Sequence, residues 1–429
     1  MRGLAALAEW RWFIKRAVHA VLMPIVRWLL LKSPAARANQ SVVRSLWGVT
    51  PILTLATKSR AERMLGVDAR SLVYETYHLA HQFDINLARW MRGPLKLVTP
   101  YVVFYWAARR FQRFHFFYDR GLLPQLEPGQ FNRDELILLH ALGKQLFGYA
   151  YGADVRTQVA TRSLGPVQLC AGCPAPGRHC VCDDARGTAN YHRFRHFATT
   201  CFSMGDMIEY TPGSRNDLFY WPLDLDADGG ERYRPHYPTP TANRPLRVVH
   251  AANHRFFKGT RYLLDAIERL RGEGIEIELV LVEKKSNDEA LELYRTADVV
   301  FDQCVSGFHG YFTLEAMAMG KPVLVYVRKP DEYLLAADEC PLVQTHPRTL
   351  VDDLRRLALN REPLTDIGQR GRDYIERYYS LDAFAARLTR VYRELGEAST
   401  PQTSRRPVTL RFHGPERLRG PYLDHSKAA

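Results

Sequence analysis

Phe301-Asp-Gln-Cys-Val-Ser-Gly-Phe-His-Gly-Tyr-Phe-Thr-Leu-Glu-Ala-Met-Ala-Met-Gly-Lys-Pro-Val323 reads as a buried strand, a loop with two glycines, a short helix, then Gly320 and the next strand. Gly307 and Gly310 carry no Cβ, so the loop can bring backbone N–H groups close to a ligand. The helix that follows aims its positive end at that ligand, which suits a phosphate. Glu315 then stands about one turn into the helix, on the side of the same crevice. A carboxylate there can accept hydrogen bonds from sugar hydroxyls. A nucleotide-sugar site needs these parts together.

The surroundings repeat this strand–helix alternation. Strands are expected at Leu246–Ala251, Ile275–Val282, Val299–Asp302 and Pro322–Val327. Helices are expected at Thr260–Arg271, Asp288–Thr296, Leu350–Leu359 and Leu381–Leu395. The first of these helices carries Leu263, Leu264, Ile267 and Leu270 as a stripe that faces a sheet. Upstream, strands are expected at Arg44–Pro51, Ser71–Tyr77, Phe114–Tyr118 and Gln145–Tyr151, with helices at Leu53–Leu65, Leu97–Arg110 and Asp134–Leu142. Such alternation argues parallel sheets with helices on both faces. The expected organisation is a basic N-terminal helix (1–43), a first Rossmann-like domain (44–223) with a Cys-rich insertion (165–187), a linker (224–245), a second Rossmann-like domain (246–398) and a basic, disordered tail (399–429). The fold class is therefore α/β, with two doubly wound domains facing a central cleft. Ligands bind at the carboxyl ends of the strands in such sheets.

Composition is ordinary for a globular chain of 429 residues, at 46% hydrophobic and 24% charged. The charge balance is not, at formal net +13. Eight Lys and Arg fall in residues 1–50 against the single acid Glu9. This is either a solvated basic face or a surface that docks on anionic lipid. No nucleic-acid-binding motif accompanies the charge, so a nucleic-acid partner is not expected. Leu4–Leu31 carries Trp10, Trp12, Phe13, Ile14, Val18, Val21, Leu22 and Ile25 at roughly helical spacing, broken by basic residues and Pro24. No apolar run approaches a membrane span, and no cleavage site follows an apolar core. The two readings are an interfacial amphipathic helix and a helix packed on the protein's own body.

Four of seven cysteines form Cys170-x2-Cys173-x6-Cys180-x-Cys182. Four thiolates at this spacing suit a structural, tetrahedral Zn²⁺ that holds a loop with no core of its own. Two disulfides and a reduced, metal-free loop are the alternatives. Cys201, Cys304 and Cys340 stand singly in apolar surroundings and read as small core residues.

Three features together resemble the retaining family-4 glycosyltransferases of the GT-B fold. His250-Ala-Ala-Asn-His-Arg-Phe-Phe-Lys-Gly259 is similar to the family's strand-to-helix element. Gly310–Val323 is similar to its Gly-x4-Glu-Ala-Met-Ala-x-Gly-x-Pro-Val segment. Gly152-Ala-Asp-Val-Arg156 is similar to its acceptor-side loop. The resemblance implies that Lys258, with Arg255 close by, grips the donor diphosphate. It implies that Glu315 binds ribose and that the amides of Gly310 and Tyr311 cradle phosphate. Asp154 and Arg156 would orient or deprotonate the acceptor, although Asp154 could equally cap the next helix. The chain departs from the family at three places. The family's first glutamate is Gly307 here, its arginine before the lysine is missing, and its acceptor-loop histidine is Tyr151. His309 is the candidate to replace the lost glutamate.

What the resemblance implies is transfer of a hexose from a nucleotide diphosphate sugar to a glycan or lipid-linked acceptor, with retention and without a metal or other cofactor for catalysis. Cell-envelope polysaccharide synthesis on the cytoplasmic face of a membrane, in peripheral contact with anionic lipid, is the expected setting. A nucleotide-sugar 2-epimerase and a non-catalytic nucleotide-sugar-binding scaffold are the competing readings.

Overall fold

The computed structural model describes residues 2–37, 43–76, 82–171, 173–174, 183–239, 244–252 and 254–397. The expected tail 399–429, Asn253, Cys180 and Cys182 lie outside the described residues.

The first sheet holds β1 (Arg44–Val49), β2 (Asp68–Val73), β3 (Ile85–Asn86), β4 (Arg113–Phe117), β5 (Gln145–Tyr149) and β6 (Thr200–Phe202), all parallel, in the order β3-β2-β1-β4-β5-β6. The second holds β7 (Leu246–Ala251), β8 (Ile277–Val282), β9 (Val299–Gln303), β10 (Val323–Val325) and β11 (Val343–Gln344), also parallel, in the order β11-β10-β9-β7-β8. Central strands such as β9 are buried along their whole length, as parallel strands covered on both faces must be. The helices of eight residues or more are α1 (Arg2–Lys32), α2 (Thr54–Met64), α3 (Thr99–Arg110), α4 (Arg133–Ala141), α5 (Asp184–Phe197), α6 (Thr260–Gly272), α7 (Asn287–Arg295), α8 (Tyr311–Ala318), α9 (Leu350–Leu359), α10 (Pro363–Tyr378) and α11 (Leu381–Glu397).

The second strand departs from its expected bounds. It runs Asp68–Val73, because its register is set by β1, from Arg44 opposite Asp68 to Val49 opposite Val73. Tyr74 has left the sheet and donates its hydroxyl to the Leu122 carbonyl at 2.8 Å. Residues 231–237, within the expected linker, lie along the second domain. Tyr233 is buried, and the His236 N–H donates to the Met319 carbonyl at 2.9 Å.

The N-terminal helix is packed on the body and apolar on its outer side as well. Met23, Val26 and Leu30 are buried in the core that α3 shares. His19 bridges the Tyr101 hydroxyl (3.0 Å) and the Asp134 carboxylate (2.8 Å). On the other side Trp10, Phe13, Val21, Ile25, Trp28 and Leu29 are exposed. Trp90, Leu95, Val98, Val102 and Trp106, on and before the neighbouring α3, are exposed too. Most exposed large apolar side chains among the described residues therefore belong to this pair of packed helices and the segment that leads into the second. No helix among these residues is long and apolar enough to cross a membrane.

α11 closes the two domains by crossing back to α2. The contact centres on Glu62, which is wholly buried. Its carboxylate accepts from Ser45 Oγ, Trp47 Nε1 and the Tyr392 hydroxyl, each at 2.6 Å. Glu62→Leu would leave the buried donors of Ser45 and Trp47 unpaired and take one partner from the Tyr392 hydroxyl, and should cost about 3 kcal/mol of stability. Glu62→Gln keeps an acceptor oxygen and should cost less. Urea unfolding checks this; an unchanged midpoint for the leucine variant would remove Glu62 from its place as the tie between domains.

Candidate functional site

The carboxyl edge of the second sheet gathers three loops. β7 runs into a single helical turn, Arg255–Lys258, that ends on Gly259 in the left-handed region at φ 75°. A Cβ at Gly259 would strike the Cys304 sulfur, so only glycine lets this turn sit on the end of β9. His250 holds the same corner from inside. Its Nδ1 lies 2.9 Å from the Phe301 carbonyl and its Nε2 lies 2.8 Å from Thr260 Oγ1. Burial pushes its imidazole down to about 4, so the ring is neutral, Nδ1–H donates and Nε2 accepts.

Lys258 emerges from this turn and forms an ion pair with Asp302 at the end of β9. The other oxygen of Asp302 accepts from the Gly310 N–H at 2.6 Å and from Thr313 Oγ1 at 2.8 Å. Burial alone would push this carboxyl up. The Lys258 ammonium and the Gly310 N–H more than offset that and hold it below its ordinary value. One buried carboxylate thus fixes the lysine, the glycine loop and the first turn of α8. Lys258 and Gly310, brought together by the sequence reading, are neighbours in space: a Cβ on Gly310 would lie 3.0 Å from Lys258 Nζ. Arg255 is exposed and instead makes a bidentate pair with Glu283 at 2.6 and 2.8 Å.

Gln303 builds the loop between β9 and α8. Its Oε1 accepts from the N–H groups of Val305 and Ser306, both at 2.8 Å, and its Nε2 donates to the carbonyls of Phe308 (3.0 Å) and Tyr326 (2.6 Å). Gly307 has φ 87°, and a Cβ there would strike the Arg328 guanidinium. Where the resembled family has a glutamate, a cation from the loop after β10 fills the space. His309 is buried, with its ring 4.1 Å from Phe308 and 6.2 Å from Trp221, centroid to centroid. Burial pushes it down to about 4, so it is neutral and stands among aromatic rings rather than in solvent.

Glu315 is buried one turn into α8 and accepts from Asn287 Nδ2 at 3.1 Å. Burial pushes its carboxyl up to about 7, opposed by Asn287, Arg232 and Tyr233. Tyr311 lies beside it and reaches across to the Pro222 carbonyl at 3.3 Å. Lys329 and Tyr333 likewise reach Glu209 of the first domain, at 2.7 and 2.6 Å.

On the facing edge, Asp154 is buried and accepts from the backbone N–H groups of Gly152 (2.8 Å), Tyr151 (3.1 Å) and Tyr118 (3.3 Å). It shapes its own loop. Burial and the nearby Asp119 charge push its carboxyl up to about 7. Arg156 pairs with the buried Asp206 at 2.6 Å. Asp119, absent from the sequence reading, stands at the end of β4, buried and accepting from the Tyr151 hydroxyl at 3.2 Å. Burial pushes its carboxyl up, and its Oδ1 has no hydrogen-bond partner among the described residues. Asp302, Gln303 and Asp119 are the site residues that sequence reasoning missed. The first two lay inside the stretch that decided the fold, as polar residues ending an apolar strand.

Of the cysteine cluster, Cys170 and Cys173 are joined by one turn, Cys173 N–H to Cys170 carbonyl at 3.3 Å. Their expected partners Cys180 and Cys182 lie outside the described residues. No group of three or more His, Cys, Asp and Glu among the described residues could hold a metal ion. Cys304 is fully buried, and burial pushes its thiol up to about 12.

No protein-family model matches the chain, and no curated protein matches it in sequence. Solved structures do match it in fold. Sucrose-phosphate synthase from Thermosynechococcus elongatus superposes with a TM-score of 0.56 at 14% identity, over 83% of this chain and 100% of that one. Anabaena Alr3699/HepE in complex with UDP superposes with a TM-score of 0.50 at 11% identity, over 83% of this chain and 100% of that one. At such identities the likeness is one of fold: two parallel α/β domains in the GT-B arrangement, covering most of the chain.

Proposed function

We propose that the protein is a glycosyltransferase that moves a hexose from a nucleotide diphosphate sugar to a glycan or lipid-linked acceptor, with retention, at a membrane surface. The observation that carries this reading is the cluster of Lys258, Asp302, Gly310 and Thr313 at the carboxyl edge of the second sheet. The chemical problem is charge. As the glycosidic bond breaks, the departing diphosphate gains negative charge. Lys258 is a compact point charge suited to it. The N-terminus of α8, starting at Tyr311, adds its N–H groups. Donors fixed before the reaction need no reorganisation during it, which is where such sites gain most of their rate.

The remaining roles follow from position. Glu315 accepts from the ribose hydroxyls. Arg328, in the space beside Gly307, contacts the donor's sugar end in place of the absent glutamate. Asp119, with one carboxylate oxygen uncommitted, is better placed to take the acceptor's proton than Asp154, whose oxygens serve its own loop. Retention follows if the acceptor attacks from the face that the diphosphate leaves. The exposed apolar face of α1 and α3, with its basic neighbours, supports peripheral contact with anionic lipid.

A thermal-shift screen against UDP-, GDP- and ADP-sugars, followed by transfer assays, tests the activity. Stabilisation by one of them is expected, and stabilisation by none would count against every nucleotide-sugar reading. Lys258→Ala should lose about 2 kcal/mol or more of transition-state stabilisation, roughly 30-fold in turnover. The Lys258→Ala/Asp302→Asn pair leaves no buried charge unpaired and should fold while remaining slow. Near-normal transfer by either variant would remove Lys258 from the diphosphate site.

Glu315 makes the site sensitive to pH. Its carboxyl titrates at about 7, and only the ionised form is a full acceptor for two hydroxyls. From about pH 6 to about pH 8 it passes from mostly protonated to mostly ionised, so donor affinity should rise across that interval. Glu315→Gln should bind more weakly and flatten the profile. Calorimetric titration at several pH values checks this; a flat wild-type profile would contradict the role.

A further inference from the structure

A cavity of about 900 Å³ lies between α1 and the carboxyl edge of the first sheet. Its polar wall is cationic: Arg11 and Lys15 of α1, Arg92 and Lys96 from the segment before α3, and Arg120 after β4. Glu75 is the one acid in the wall, and it pairs with Arg120. Among the described residues Arg11, Lys15, Arg92 and Lys96 make no ion pair. Lys15 registers the consequence. Burial, and then the charges of Arg11, Lys96 and Arg120, push its ammonium down. Cations gathered without counter-charge make a site for an anion.

Beside Thr76, Gln125 and two tyrosines, the rest of the wall is apolar, with Ile14, Val18, Val49, Leu97 and Leu122. A sugar phosphate or a free phosphate makes no use of that surface. An anion attached to a hydrocarbon chain uses both walls. The apolar lining also continues outward. Ile14 and Leu97 stand among the exposed Trp10, Phe13, Leu95 and Val98, on the helix pair already described. Inward, Val49 and Arg120 stand at the ends of β1 and β4, the edge that carries Asp119.

We infer that this cavity binds the phosphate and first chain carbons of a lipid phosphate monoester, the acceptor's carrier, with the rest of the chain running along α1 and α3 into a membrane. Calling that lipid the acceptor's carrier rests on the glycosyl-transfer reading; the binding itself does not. The phosphate would sit among Arg11, Lys15 and Lys96, and the group linked to it would face Asp119, beyond the Arg120 that pairs with Glu75 and Asp119.

The test is calorimetric titration of the full-length protein with farnesyl phosphate, farnesol, inorganic phosphate and phosphatidylglycerol vesicles in separate arms, each repeated with a nucleoside diphosphate present. Farnesyl phosphate should bind at least about tenfold more tightly than farnesol or inorganic phosphate. Lys15→Glu/Lys96→Glu should lose about tenfold or more of that affinity, with nucleotide binding and melting temperature unchanged. Lys96→Gln, at an exposed position, is the milder second variant and should lose a smaller factor. Equal binding of farnesyl phosphate and inorganic phosphate, equal binding of farnesyl phosphate and farnesol, or wild-type affinity in both variants would each overturn the inference. Displacement of farnesyl phosphate by the vesicles at equal phosphate concentration would make the cavity a general headgroup site and overturn the carrier assignment. Lipid binding without any nucleotide binding would sink the donor reading and leave the cavity standing.

Discussion

The loops at the carboxyl edge of the second sheet depend on one buried carboxylate. Asp302 lies at the end of a fully buried strand, where an unpaired charge would cost several kcal/mol. Its neighbours are arranged to prevent that: an ammonium, a backbone N–H and a hydroxyl converge on its two oxygens. Each comes from a different piece of chain. The turn after β7, the glycine loop and the first turn of α8 are therefore positioned by a single group. Gln303, the next residue, does the same for the rest of the loop with four hydrogen bonds. Two consecutive strand-end residues turn their polar groups inward and hold the loop backbone.

Much of this architecture was legible in the sequence. The apolar run to Asp302, the two glycines and the helical Leu314-Glu-Ala-Met317 define strand, loop and helix locally, with no help from distant residues. Lys258 and Glu315 could be found because each belongs to a short local pattern. Asp119 could not, because what marks it is a hydroxyl from Tyr151 and a guanidinium from Arg120, and only the pairing of β4 with β5 makes the first a neighbour. Asp302 was visible as a residue, but a sequence does not show that a carboxylate ending a strand is wholly buried. The second strand was placed too late because its register belongs to β1. α5 and α10 were not foreseen. α5 is largely polar, with only Gly187, Asn190 and Phe194 buried, while α10 hides its apolar stripe among Arg, Gly and Asp.

The N-terminal helix is packed on the protein's own body, one of the two readings that the sequence posed, and is apolar on its outer side as well. One face is buried through Met23, Val26 and Leu30, and the opposite face is exposed and aromatic. A helix apolar on both sides needs two apolar environments. The protein's own core supplies the first, and the surrounding basic residues suit an anionic membrane as the second. The cationic cavity lies between α1 and the carboxyl edge of the first sheet. Glu62 of α2, accepting from β1 and from Tyr392 of α11, ties α11 to the first domain.

The central claim is that Lys258 and the start of α8 hold a diphosphate. The most direct measurement is a crystal structure of the protein with the nucleoside diphosphate that stabilises it best. Phosphate oxygens should lie within about 3 Å of Lys258 Nζ and of N–H groups in the first turn of α8, with the ribose against Glu315. A nucleotide bound elsewhere, with the Lys258–Asp302 pair undisturbed and no phosphate beside it, would contradict the claim.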